Sequence, residues 1–284
     1  MARRGNFVFV GGSDGIGRAT ALNVARTGSD ILVVARDEGR GNAAVAALRA
    51  AGASDATYLK ADVGTIAGAA AAARAIVGWR PEIHGLLHSA MSSFSRRVVT
   101  PDGLELAFAL QYLARAIINR ITAGTLAASG DGRIVHLAGA VPYRMARPNL
   151  DDLQFERRKW GFFKAILSSQ VEGFLFLDEA GRRWSDRPIA LYAAAMPSTR
   201  TKAMLDPAMP MIMRLMGRFG ASPERSAGNP TRLLLDEQAL GPRVGILSDH
   251  KRFVATPFDV PTNEAARLWD ITTRLAASKG VELP

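Results

Sequence analysis

Three short stretches of this 284-residue chain combine residue types suited to binding a phosphorylated cofactor. Gly11-Gly12-Ser13-Asp14-Gly15-Ile16-Gly17 joins an apolar run to an amphipathic one. Glycines there permit a tight turn and a close backbone approach, and a following helix N-terminus offers free N–H groups and a partial positive charge to a pyrophosphate. Ala35-Arg36-Asp37 closes the next apolar run. An arginine at that place suits the 2′-phosphate of NADP, whereas a carboxylate suits the 2′-hydroxyl of NAD. Arg36 therefore points to NADP(H), with the neighbouring Asp37 as the competing signal. Asp62-Val63, after the third run, suits an adenine amino group and ring. The chain has no cysteine, which excludes a disulfide scaffold, a thiolate metal site and a cysteine nucleophile. Its four histidines lack metal-ligand spacing, so no metal is expected.

The elements that must hold these stretches follow from periodicity. Short apolar runs at Asn6–Val10, Asp30–Ala35, Ala56–Ala61, Ile83–His88, Arg133–Leu137, Ile189–Ala194 and Arg243–Leu247 read as strands. Between them, Gly15–Thr27, Glu38–Ala51, Ile66–Val77, Asp102–Ala128 and Ile166–Arg183 read as helices, and Asn263–Ala277 closes the chain. Such alternation implies βαβ units and an α/β fold: a doubly wound parallel sheet of about seven strands with helices on both faces. No repeat or linker divides it, so one domain over residues 1–284 is expected. Two segments break the rhythm: 140–164, with Pro142 and Pro148, and 197–220, which holds five of the nine methionines. Both follow strands and should lie at the carboxyl ends of the sheet, where ligands bind in such folds.

Composition narrows the partners. The net charge of +10 comes from six lysines and thirty arginines, scattered without a basic helix or nucleic-acid motif. That is a solvated arginine-rich surface, and nucleic acid is not expected; the charge still favours an anionic ligand. No run approaches the roughly 20 apolar residues of a spanning helix. With no cysteine and no signal-like segment, a cytoplasmic protein is expected.

On these residues the sequence resembles the short-chain dehydrogenase/reductase family along its whole length. The spacing Gly11…Gly15-Ile16-Gly17 matches the family's, with Val10 in place of the usual threonine. Ala35-Arg36-Asp37, Asp102-Gly103, Asp152-Leu153-Gln154, Ser222-Pro223-Glu224 and Leu268-Trp269 resemble its retinol-dehydrogenase-like branch. The resemblance implies a Rossmann sheet and a lid at about 197–220. It also implies further cofactor-lining positions at Ser13, Asp14, Ser89, Ala90, Gln170, Pro197 and Thr199. The Asn-Asn-Ala-Gly motif of the family reads His88-Ser89-Ala90-Met91.

The family's chemistry rests on a Tyr acid/base, a Lys four residues later, a Ser and an Asn. Carried over one at a time, the Ser position is Gly139 and the Asn position Gln111. The register set by Ser169, Phe174-Leu175-Phe176 and Glu179…Arg182-Arg183 puts Ile166 at the Tyr position and Gln170 at the Lys position. Alternative registers, Trp160…Lys164 and Phe155…Lys159, supply no tyrosine either. Loss of a positioned acid/base costs roughly 10²–10⁴ in rate. Candidate substitutes are Tyr143, His88, His136 and Ser169; the bland readings are a rim aromatic for Tyr143 and satisfied core residues for the histidines. Tyr112 and Tyr192 read as core.

The Met-rich segment reads equally as a mobile lid over a lipophilic small molecule, as core packing or as a homo-oligomer contact. The expected function is an NADP(H)-dependent oxidoreductase on a lipophilic carbonyl or enone with an atypical active site. The alternatives are a non-redox cyclase, isomerase or lyase on the same scaffold, or a cofactor-binding pseudoenzyme.

Overall fold

The computed structural model describes residues 3–236, 242–248 and 254–284. Seven strands run through them: β1 (Asn6–Val10), β2 (Asp30–Ala35), β3 (Asp55–Lys60), β4 (Gly85–His88), β5 (Gly132–Ala138), β6 (Ile189–Ala195) and β7 (Val244–Leu247). They pair in the order β3-β2-β1-β4-β5-β6-β7, and every pair is parallel. The reversal of order between β1 and β4 makes the crevice at their carboxyl ends the place for a ligand.

Alternation along the strands divides the core in two. Val8, Val10, Leu32 and Val34 face one side, with α3 (Ile66–Trp79), α4 (Ala114–Ala128), α5 (Phe162–Arg183) and α10 (Thr262–Ala277). Phe7, Phe9, Ile31 and Val33 face the other, with α1 (Gly15–Ala25), α2 (Glu38–Ala50) and α9 (Gly228–Leu235). Helices thus cover both faces of a sheet whose central strands are buried throughout, as parallel strands must be.

Two helix starts differ from expectation. That of α5 is Phe162, four residues before Ile166. The helix expected from Asp102 begins at residue 106, and its first part, Phe108–Leu113, is a π-helical segment leading into α4. Asp102 is spent elsewhere: its carboxylate accepts the N–H of Ile66 at 2.7 Å and so caps α3. Gly103, at φ +83°, turns the chain back, and Val99 bridges Glu105. The Met-rich segment forms two short helices, α6 (Lys202–Leu205) and α7 (Met211–Arg218), because Pro207 and Pro210 interrupt any longer one. The small helix α8 (Pro223–Ser226) precedes α9. Among the described residues no helix is long and apolar enough to cross a membrane.

Candidate functional site

The glycine turn sits at the carboxyl end of β1, against the end of β4. Gly11 has φ +92°, and a Cβ there would collide with the backbone of Ala90. A Cβ on Gly17 would collide with the Ser89 hydroxyl, which itself donates to the Val10 carbonyl at 3.1 Å. These contacts let α1 start directly over the strand ends. Asp14 caps it, accepting the Gly15 N–H at 2.7 Å. The N–H groups of Ile16 and Gly17 meet no acceptor among the described residues. Two free first-turn donors at a tight glycine turn fit a pyrophosphate.

At the end of β2, the two competing residues have separated roles. Asp37 caps α2, its carboxylate accepting the Arg40 N–H at 2.7 Å. Arg36 is exposed and has no ion pair among the described residues. Asp62 turns back on its own loop and accepts the Gly64 N–H at 2.9 Å, while Val63 beside it is buried.

The ends of β5 and the start of α5 meet at the positions that sequence reasoning singled out. The N–H of Gly139 donates to Gln170 Oε1 at 2.7 Å, whereas the Gln170 amide nitrogen has no partner among the described residues. Ile166 lies one turn earlier on α5, on the same face as Gln170. It is 7% exposed and joins a buried apolar cluster with Phe94, Phe155, Phe162 and Met209. Ile166, Gly139 and the Gln170 amide supply no group that titrates near neutral pH.

The candidate substitutes are engaged elsewhere. Tyr143, in a single 3-10 turn (Tyr143–Met145), donates to Glu264 of α10. Burial and that carboxylate push its hydroxyl up to about 12, the wrong direction for an acid. Ser169 is buried and donates to the Ile166 carbonyl at 2.9 Å within its own helix. His88 and His136 are linked through Asn119: His88 Nε2 lies 2.7 Å from Asn119 Oδ1, and Asn119 Nδ2 2.9 Å from His136 Nε2. Burial, and secondarily the charge of Arg115, pushes His88 down to about 3; burial also holds His136 well below its ordinary range. Both rings are neutral core groups, although His136 Nδ1 lacks a partner. Gln111 lies in the π-helical segment, buried, with Nε2 unpartnered; such segments recur at functional sites.

Beyond β6, Thr199 is buried; its hydroxyl donates to the Pro197 carbonyl at 2.9 Å and shares a hydrogen bond with Ser226 at 2.6 Å. The next residues lean on the glycine turn: a Cβ on Gly15 would stand 3.1 Å from the Thr201 methyl, and Lys202 Nζ lies 3.8 Å from Asp14. Of the methionines, Met209 is buried in the cluster around Ile166, Met204 and Met213 pack against it, and Met211 and Met216 are exposed. Sequence reasoning missed Asn119, the buried carboxyl groups of Glu105 and Glu172, and the sealing of Ile166 by Phe94 and Phe162. Asn119 and Ile166 are enclosed by distant segments. The burial of Glu105 and Glu172 is set by tertiary packing, even though Phe108 and Ser168 beside them in sequence hydrogen-bond them.

Comparison with known proteins gives a consistent picture. Residues 6–141 match the family described as short chain dehydrogenase. The chain is 25% identical to retinol dehydrogenase 12 of Bos taurus over 94% of this chain and 85% of that protein. An uncharacterized protein from Mycobacterium paratuberculosis shares the fold over 100% of this chain and 96% of its own, with TM-score 0.73 at 19% identity. So does the 3-oxoacyl (acyl-carrier-protein) reductase of Agrobacterium tumefaciens C58, solved with NADP bound, with TM-score 0.63 at 16% identity over 82% of this chain and 88% of that one.

Proposed function

Because the chain belongs to the short-chain dehydrogenase/reductase family and lies in its retinol-dehydrogenase-like branch, we propose that it is an NADP(H)-dependent oxidoreductase acting on a lipophilic carbonyl or enone through an atypical site. The observation that carries the cofactor choice is the division of labour after β2: Asp37 is a helix cap, and Arg36 is exposed and has no ion pair among the described residues. The turn Gly11–Gly17 and the free N–H groups of Ile16 and Gly17 would hold the pyrophosphate. Arg36 would hold the 2′-phosphate. A bound nicotinamide supplies the hydride acceptor or donor.

The rest of the proposal concerns what the chain's own side chains do. The Gln170 Nε2 donors suit a ribose hydroxyl or a substrate oxygen, but an amide cannot release a proton. Protonation of the substrate oxygen is then left to water, which suits an enone better than a simple ketone. The apolar cluster of Ile166, Phe94, Phe162 and Met209 supports a lipophilic substrate. The same cluster, closed over Ile166 at 7% exposure, also favours a second reading: non-redox chemistry, or cofactor binding without turnover.

The test is incubation with NADPH and a panel of lipophilic aldehydes, ketones and enones, following both NADPH absorbance and product. NADPH oxidation with enones, falling at least tenfold in Gln170→Ala, is expected. Substrate conversion at unchanged NADPH absorbance would replace this reading with the non-redox one, and binding without any turnover with the pseudoenzyme.

A further inference from the structure

We propose that a groove between residues 144–147 and the first two turns of α5 binds an amphipathic anion, a carboxylate or similar head on a hydrocarbon body, separately from the cofactor crevice. The groove encloses about 650 Å³, within the size range of small-molecule sites. No carboxylate lines it. Five cations do, and two of them are already neutralised: Arg147 by Glu264 and Arg158 by Asp152. The other three, Arg144, Lys159 and Lys164, have no ion pair among the described residues. Three unpaired like charges around one concavity, in a chain of net charge +10, create a potential that an anion relieves.

The walls between the charges are apolar. Phe163 and Leu167 stand one above the other on α5, at i and i+4, and Phe155 faces them across the groove. Phe155 holds φ +54°, a left-handed conformation that is costly for a bulky side chain. Backbone strain of this kind persists where the surroundings over-determine it, as at ligand clamps. The Arg158 guanidinium stacks 4.4 Å over the Phe155 ring and fixes it. Ser168, buried, also lines it, its hydroxyl donating to Glu172 at 2.8 Å. Cations at the rim over aromatic and aliphatic walls suit a ligand with one charged end.

The site is distinct from the crevice. Leu167 follows Ile166 by one residue, so its stripe of α5 is turned by about 100° from the one that carries Ile166 and Gln170. Phe155 is the partition: it lines the groove on one side and joins the cluster around Ile166 on the other.

The test is calorimetric titration of the full chain with decanoate below its micelle concentration, beside decanol and inorganic phosphate. One saturable decanoate site is expected, with decanol and phosphate each at least tenfold weaker. Lys159→Ala with Lys164→Ala, and separately Phe163→Ser, should each weaken decanoate at least tenfold while leaving NADPH affinity unchanged. Saturating NADPH should leave decanoate affinity unchanged. Absence of a saturable site, phosphate binding as tight as decanoate, indifference to these substitutions, or competition with NADPH would each overturn the proposal.

Discussion

Asn119 serves two buried imidazoles at once. Its amide bridges His88 and His136, which are both 1% exposed. Leaving a buried polar group unsatisfied costs about 1–3 kcal/mol. Asn119→Leu strips one bond from each ring, so a loss of about 2–6 kcal/mol is expected in urea unfolding. The same rings give the fold a pH dependence of defined sign. Both are held below the ordinary 6.5. Unfolding therefore takes up protons below that pH, and stability falls with acid by about 1.4 kcal/mol per pH unit for each ring. Glu172 acts oppositely. Burial pushes its carboxyl from 4.5 up to about 8, so its contribution is complete below 4.5 and is lost as pH rises toward 8. Below 6.5 the two rings, with His84 also lowered by burial, outweigh Glu172, and above it the buried carboxyls Glu172 and Glu105, both raised by burial, dominate. Stability should peak near pH 6.5, and Glu172→Gln should flatten the alkaline limb. A urea midpoint that climbs steadily from pH 6.5 to 8 in the wild type would rule this out.

On the proposed reading, the first turns of α5 and the end of β5 hold the positions that set the chemistry. Gly139, Ile166 and Gln170 are assigned, on the register set by the sequence, to the family's Ser, Tyr and Lys positions, and the structure brings Gly139 and Gln170 within 2.7 Å. Gly139→Ser, Ile166→Tyr and Gln170→Lys together should create weak NADPH-dependent ketone reduction, because a tyrosine beside a cation becomes a usable acid. Each single change should do little: a lone Tyr keeps its high pKa, and a lone Lys has nothing to activate. The gain is therefore non-additive. Ile166→Tyr enlarges a side chain in a closed cluster, an overpacking that costs about 1–3 kcal/mol, so the triple variant is compared at a temperature where it is folded. Ketone reduction in the wild type as fast as in the triple variant would refute the idea. Element positions were legible where period and length agree, as in the seven strands and in α5. The start of the helix after Asp102 was not, because the partner that captures Asp102 is the Ile66 N–H, 36 residues away. The fate of Tyr143 was equally hidden, since Glu264 comes from the last helix.

Across the whole molecule, seven strands and two layers of helices bring segments from β1, β2, β4, β5 and β6 to one crevice. The glycine turn was readable because its chemistry is local: a tight turn between a strand and a helix. The fit of the turn and α1 against Ser89 and Ala90 explains why two of those positions, Gly11 and Gly17, carry glycine. The stretches Asp102, Asp152-Leu153-Gln154 and Ser222, which carried the finer resemblance, prove to be anchors. Asp102 caps α3, Asp152 accepts three backbone N–H groups of its loop, Gln154 accepts the Glu105 N–H, and Ser222 caps α8. Resemblance in those places therefore follows the scaffold, and the proposed cofactor and reaction involve other residues. On the proposed reading, Arg36 is the residue on which cofactor choice turns. A charge-assisted hydrogen bond is worth about 1.5–3 kcal/mol. Calorimetric titration of wild type and Arg36→Ala with NADPH and NADH measures it directly. NADPH is predicted to bind about 10- to 150-fold more tightly than NADH, and the substitution to abolish that preference. Equal affinities in the wild type, or a preference that survives Arg36→Ala, would contradict it.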